Sequence, residues 1–187
     1  MRSLGQQLGV EAMSLYNHVR NKEDLLDGMV DIVFGEIALP SDDVDWRTAM
    51  RRRAISAHQV LLHHPWAVGF MESRLTPGPA NLRHHDAVLG RLRKAGFPIA
   101  MAAHAYSVLD GYVYGFTLTE LGLPFRGSEV VEVGASMLRQ FPSTTYPYLA
   151  EMIEHAIKPG YTYEAEFEYG LDLILAGVER ASDGVLT

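Results

Sequence analysis

The feature that most constrains this chain is the spacing of its apolar residues. They recur at i, i+3 and i+4 through almost the whole sequence, the repeat of an amphipathic helix rather than a strand. Strict apolar/polar alternation is nowhere sustained. The best strand candidate, Tyr112-Val113-Tyr114, sits inside a longer helical pattern. Glycine and proline punctuate the pattern and set expected helix limits. Short helices are expected over residues 4–8 and 12–19. Longer ones are expected over 22–38, 46–63, 81–95 and 98–121. The remainder are expected at 66–74, 129–140, 146–156 and 163–180. The fold class is therefore all-α, with a boundary near Asp42 between a small head (1–41) and a larger helical body (42–187).

Composition narrows the chemistry. The 187 residues include no cysteine, which removes disulfides, cysteine zinc sites, iron–sulfur clusters and a cysteine nucleophile. No apolar run approaches the ~20 residues that span a bilayer, and no signal peptide opens the chain. The net charge is −7, but residues 1–22 carry Arg2, Arg20 and Lys22 against Glu11 alone, which leaves −9 on the rest. A slightly basic end on an acidic body fits a nucleic-acid reader joined to a different kind of domain.

Residues 2–22 carry the most specific pattern. Leu4 and Leu8 would bury one short helix, Gly9 suits a left-handed turn residue, and Val10 would plug the angle between two helices. Leu15 and Val19 would bury the second helix. Its other face presents Ala12, Met13, Ser14, Asn17 and His18, flanked by Tyr16 and Lys22. Small and hydrogen-bonding side chains suit a helix lying in a major groove, where a solvated face would carry Glu and Lys. A plain helical hairpin has the same spacing.

Leu8-Gly9-Val10, then Ser14-Leu15-Tyr16, His18-Val19, Asn21-Lys22 and Leu25-Leu26, resemble the tetracycline-repressor (TetR) family of transcriptional regulators. Ala95-Gly96-Phe97 with Ala105-Tyr106, and the final stretch from Phe167 to Arg180, resemble that family's effector domain. The resemblance is strong at both ends and weak over residues 122–160.

It implies a cytoplasmic, ligand-responsive repressor, a homodimer on a palindromic double-stranded DNA operator, released by a small-molecule effector. Ala12, Met13, Ser14 and Asn17 would face base edges, Arg2 a base or phosphate, and Tyr16, His18 and Lys22 phosphates. Asn17 stands where the tetracycline repressor has tryptophan, so operator sequence does not carry over. The family's head has one more helix before this motif. Without it Leu4, Leu8, Leu15 and Val19 would be incompletely covered, and the chain as written is expected to bind DNA poorly.

The resemblance also implies a four-helix dimer bundle from Ala100–Thr119 and Tyr163–Arg180. The effector pocket would draw on Trp66, Phe70, Met71, Arg74, His85, Val88, His104, Val108, Tyr112 and Phe116. Core packing is the competing reading for each of these. The family's metal-binding histidine falls at Phe70, its drug-contacting histidine near Ala38 and an asparagine near Arg52, while Arg74 keeps a family arginine. Tetracycline with magnesium is therefore not expected, and the effector should be more apolar or aromatic. No metal site or other cofactor is expected: His63-His64 point apart on a helix, and His58 with His63 is i, i+5. Arg51-Arg52-Arg53 reads as a phosphate patch or, more often for such a run, as a solvated face with one member paired to an acid.

The alternative class is a small all-helical enzyme acting on an apolar substrate in the same pocket. Against it, the chain has no nucleophile elbow, phosphate loop or His-Glu-x-x-His motif. Asp110 lies mid-helix in an apolar setting, but one carboxylate is not a mechanism. For switching, helix order makes residues 22–38 the rigid link between head and body. A shift of residues 66–74 would tilt that link and change the spacing of the two recognition helices.

Overall fold

The computed structural model describes residues 1–124, 129–141 and 143–186, with side chains described to residue 182. The described residues form helices and no strand. The α-helices are α1 (Arg2–Leu8), α2 (Ala12–Leu15), α3 (Lys22–Glu36), α4 (Trp46–His63), α5 (Pro79–Lys94), α6 (Ile99–Leu121), α7 (Glu129–Gln140), α8 (Pro147–Ala156) and α9 (Tyr163–Leu186). A 3₁₀ helix, Pro65–Phe70, lies between α4 and α5. The chain divides into two compact units, residues 1–110 and 111–187.

Local chemistry accounts for most helix ends. Gly9 closes α1 at φ 68°, a left-handed conformation that costs glycine little. Asn21 caps α3, its side chain accepting from Asp24 N at 2.8 Å, and Asp45 caps α4 by accepting from Thr48 N at 2.9 Å. Each such cap satisfies a first-turn N–H that has no partner within its helix. Pro79 and Pro147 open α5 and α8, where a missing N–H costs nothing.

Three elements differ from the sequence expectation by more than about two residues: α9 continues past the expected end at 180 to Leu186, and two others change in kind. The helix expected over 12–19 is α-helical only to Leu15. Beyond it, Tyr16, Asn17 and His18 bond three residues back, to Met13, Ser14 and Leu15, so the segment tightens into 3₁₀-like turns. The apolar segment expected as a helix over 66–74 is the shorter 3₁₀ helix. Its ladder ends at Phe70, and Arg74 is drawn instead into ion pairs with α3.

In the 1–110 unit, α3 packs against α4, α5 and the 3₁₀ helix. Val30, Val33, Phe34 and Ile37 fill the buried side of α3 and its end, whereas Met29 and Ile32 remain exposed. Met50, Ala54, Ala57 and Leu61 face them from α4, with Val88 and Leu92 from α5 and Ala105 and Leu109 from α6 also buried. Asp31 of α3 accepts from Asn81 N at 2.8 Å, placing a carboxylate on the N-terminus of α5. Gly78 is required beside it, because a Cβ there would overlap the Asp31 carboxyl.

In the 111–187 unit, Val113 and Thr117 of α6 are buried, as are Phe167, Leu171, Leu175 and Val178 of α9. Tyr112 stacks on Phe167 at 5.4 Å and donates its hydroxyl to Phe167 O at 2.9 Å. Gly170 lets the Tyr112 ring approach α9; any Cβ there would overlap it. The helices α7 and α8 pack on each other.

Candidate functional site

In the 1–110 unit, two groups of residues have the geometry of a site. The first is on α1 and α2. Gly5 is buried where the helices cross, and a Cβ there would lie 2.9 Å from Val10 O and 3.2 Å from Ala12 Cα. That close approach is what makes the pair a tight helix-turn-helix. An open concavity beside it is lined by Arg2, Ala12, Met13 and Tyr16, together with Met1, Gln6, Val10 and Glu11. Four of the eight expected DNA-facing residues thus share one surface. Met13 projects furthest, 75% exposed, and Asn17, His18 and Lys22 are also exposed. Ser14 is half-buried, and its hydroxyl donates to Glu11 O at 2.7 Å, so it helps to start the turn as well as facing outward. Leu8 is 60% exposed, and Leu4, Leu15 and Val19 are only half-buried.

The second group is a buried polar cluster among α4, α5 and α6. Arg53 is 1% exposed, His84 0% and Asp110 4%. Arg53 NH1 forms a short ion pair with Asp110 Oδ1. Its Nε and NH2 lie 2.9 and 2.7 Å from His84 Nε2. A guanidinium can only donate, so His84 Nε2 must hold a lone pair and, in a neutral ring, the proton sits on Nδ1. Burial first, then the Arg53 charge, pushes the His84 pKa down to about 3, so the ring is neutral near pH 7. His84 Nδ1 is buried with no hydrogen-bond partner among the described residues. The cluster therefore fixes an N–H donor that lacks an acceptor, which is costly unless something supplies one.

Aromatic rings surround it. Phe34 lies 5.6 Å from both His84 and His85. The Tyr106 hydroxyl is hydrogen-bonded to His85 Nδ1, with ring centroids 5.1 Å apart. Burial, reinforced by the Asp110 charge, raises the Tyr106 phenol well above its ordinary pKa, so it stays protonated.

The expected pocket residues separate under this geometry. His85 joins the cluster; Met71 and Val88 are buried in the same unit. Trp66 and Phe70 are 6.4 Å apart on the 3₁₀ helix. His104 and Val108 instead lie on the exposed side of α6, because Ala102, Ala105 and Leu109 take its buried side. Tyr112 and Phe116 belong to the 111–187 unit, where both pack against Phe167. Arg74 points at α3: its Nε lies 2.5 Å from Asp27 Oδ1 and its NH2 2.7 Å from Glu23 Oε2. Sequence reasoning missed Arg53, His84 and Tyr106 as site residues. The available signals were an arginine and an aspartate each placed mid-helix among apolar residues, since such charges need partners.

Residues 39–181 match the family described as tetracyclin repressor-like, C-terminal domain. An HTH-type transcriptional regulator of Saccharopolyspora erythraea is 31% identical over 95% of this chain and 75% of its own length. The HTH-type transcriptional repressor DrrR1 of Streptomyces coeruleorubidus is also 31% identical, over 96% of this chain and 69% of its own. Among solved structures, ActR of Streptomyces coelicolor in complex with actinorhodin superposes with a TM-score of 0.73 at 26% identity, covering 97% of this chain and 87% of that one. These relatives are regulators and give the helical-enzyme alternative no support. With its helix-turn-helix at one end and its effector-domain match over most of the remainder, the chain belongs to the tetracycline-repressor family of transcriptional regulators.

Proposed function

We propose that the protein represses transcription from a palindromic operator as a homodimer, and that an aromatic or apolar small molecule carrying a hydrogen-bond acceptor releases it. Residues 1–41 form the operator-reading head and 42–187 the effector and dimer part, a division supported by the family match that starts at residue 39. Arg2, Ala12, Met13, Ser14, Tyr16, Asn17, His18 and Lys22 read or hold the DNA. Tyr169 and Leu173 on α9 and Leu118 on α6 are large exposed apolar residues of the kind a dimer interface covers.

The observation that carries the switch is Arg74. It follows the 3₁₀ helix directly and grips Glu23 and Asp27 in the first two turns of α3, next to the recognition segment. An effector seated by Trp66, Phe70, Met71, His85 and Val88, with its acceptor on His84 Nδ1, would move the 3₁₀ helix and pull α3 through Arg74. Half-sites must stay about 34–36 Å apart for both heads to dock, so a small tilt weakens binding on both sides. The effector must bind the released state more tightly for this to occur.

The test is titration of DNA flanking the gene, using this chain and a form extended by a family-type first helix fused ahead of Met1. The extended form is expected to bind more tightly, since a further helix would cover Leu8. Tyr16→Ala and Lys22→Ala are each expected to weaken binding about tenfold, and Lys22→Ala to lower the salt slope by about 1. No sequence-specific binding by either form would overturn the reading. Actinorhodin, the ligand of the ActR complex, is a first effector probe. Arg74→Ala should keep operator affinity while shrinking the effector-induced drop, about 5–150-fold in coupled sites, by several-fold. An unchanged drop would remove Arg74 from the switch.

A further inference from the structure

The 111–187 unit holds a cavity that the operator and effector reading leaves unused. Its volume is about 500 Å³, within the range of small-molecule sites. One side is apolar, a floor of Met137 from α7 with Ile153, Ile157 and the 60% exposed Met152 in and just after α8. The two helices are held together at Gly134, where a Cβ would overlap Ile157 and lie 3.3 Å from Ile153 Cγ2. Methionines make such a floor adaptable to flat or irregular ligands.

The mouth is different. Tyr161 and Tyr163 meet edge to face at 6.1 Å and 84°, and Glu166, one turn into α9, lines the same opening. Among the described residues, Glu166 is the one carboxylate of the lining and no lysine or arginine lines the cavity; His155, edge to face with Tyr161 at 5.8 Å, lines it as well. Burial and then the Glu166 charge raise the Tyr161 phenol's pKa, and burial, the Glu120 charge and then the Glu166 charge raise that of Tyr163. An anion entering here would meet the Glu166 carboxylate, with no lysine or arginine among the described lining residues to offset it. A cation would find aromatic faces and a carboxylate at the mouth, and an apolar bed for its body.

We propose that this cavity binds a lipophilic cation, its apolar or aromatic body on the Met137–Met152–Ile157 floor and its charge beside Tyr161, Tyr163 and Glu166. The site lies wholly within residues 111–187 and does not depend on the effector reading above.

Tetraphenylphosphonium and tetraphenylborate have nearly the same shape and opposite charge, and they separate charge recognition from apolar binding. Calorimetric titration of the 187-residue chain should show saturable phosphonium binding at least about tenfold tighter than borate binding. Glu166→Gln, an exposed substitution, should weaken phosphonium about tenfold and leave borate no weaker. Ala156→Trp, which fills the cavity, should remove phosphonium binding in a variant whose circular dichroism is unchanged; if that variant does not fold, Glu166→Gln alone decides. Equal affinity for the two ions, no phosphonium binding, or phosphonium binding indifferent to Glu166→Gln would each overturn the proposal.

Discussion

Replacing Arg53 with methionine should destabilise the chain by about 3–5 kcal/mol, the usual cost of removing one member of a buried ion pair. Arg53 and Asp110 are almost wholly out of water, so the loss leaves a carboxylate buried without the guanidinium that faces it. It also takes both donors from His84 Nε2. The penalty arises from what is stranded rather than from the worth of the pair, and that distinction is testable. In Arg53→Met/Asp110→Leu both charges are gone, and most of the stability should return. Urea denaturation of the parent, the single and the double variant measures this. A single-variant loss under about 1 kcal/mol, the range of exposed pairs, would mean that water reaches the cluster.

The second large effect is on pH dependence. His84 has a folded pKa of about 3 against an ordinary 6.5. Between those values the unfolded chain binds a proton that the folded chain does not, so stability rises with pH through this window. The contribution is fully present above about pH 6.5 and is lost on acidification, at up to about 1.4 kcal/mol per pH unit. Carboxylates add their own slope at the acid end, so the readout is the difference between the parent and His84→Gln. Glutamine can offer Arg53 an acceptor but has no proton to gain. Its unfolding free energy, followed from pH 7.5 to 4.5, should fall less steeply than the parent's below about pH 6.5, by up to about 1.4 kcal/mol per pH unit. Parallel curves would mean that His84 titrates normally and that its tautomer is not fixed by Arg53.

Both effects originate in contacts that one-dimensional reading could not supply. Arg53 and His84 are separated by 31 residues and Arg53 and Asp110 by 57. In the sequence Arg53 is the last of three arginines on an apparently solvated face, and Asp110 is an unexplained mid-helix acid. Arg74 is similar: family resemblance places it near the effector, but its partners, Glu23 and Asp27, lie about 50 residues upstream. On α3, Met29 and Ile32 follow the apolar repeat yet remain exposed, and on α6 His104 and Val108, placed in the pocket by resemblance, lie on the exposed side. Periodicity finds an amphipathic helix but cannot rotate it against neighbours it does not know.

What the sequence determined by itself was local. Gly9 stops α1, Asn21 caps α3, and the limits of α4 and α7, Trp46–His63 and Glu129–Gln140, coincide with those read from the apolar repeat. Caps, breakers and the 3.6-residue repeat act within one or two turns, so their outcome is written in adjacent residues. The helix-turn-helix at the head was legible for the same reason, since α1, the Gly9 turn and α2 form one continuous stretch. Tertiary structure alone decided which buried charges are paired, which imidazole nitrogen carries the proton, and where Gly134 brings two helices into contact. Those depend on distances between segments remote in the chain, where burial makes each polar group's partner matter far more than it would in water.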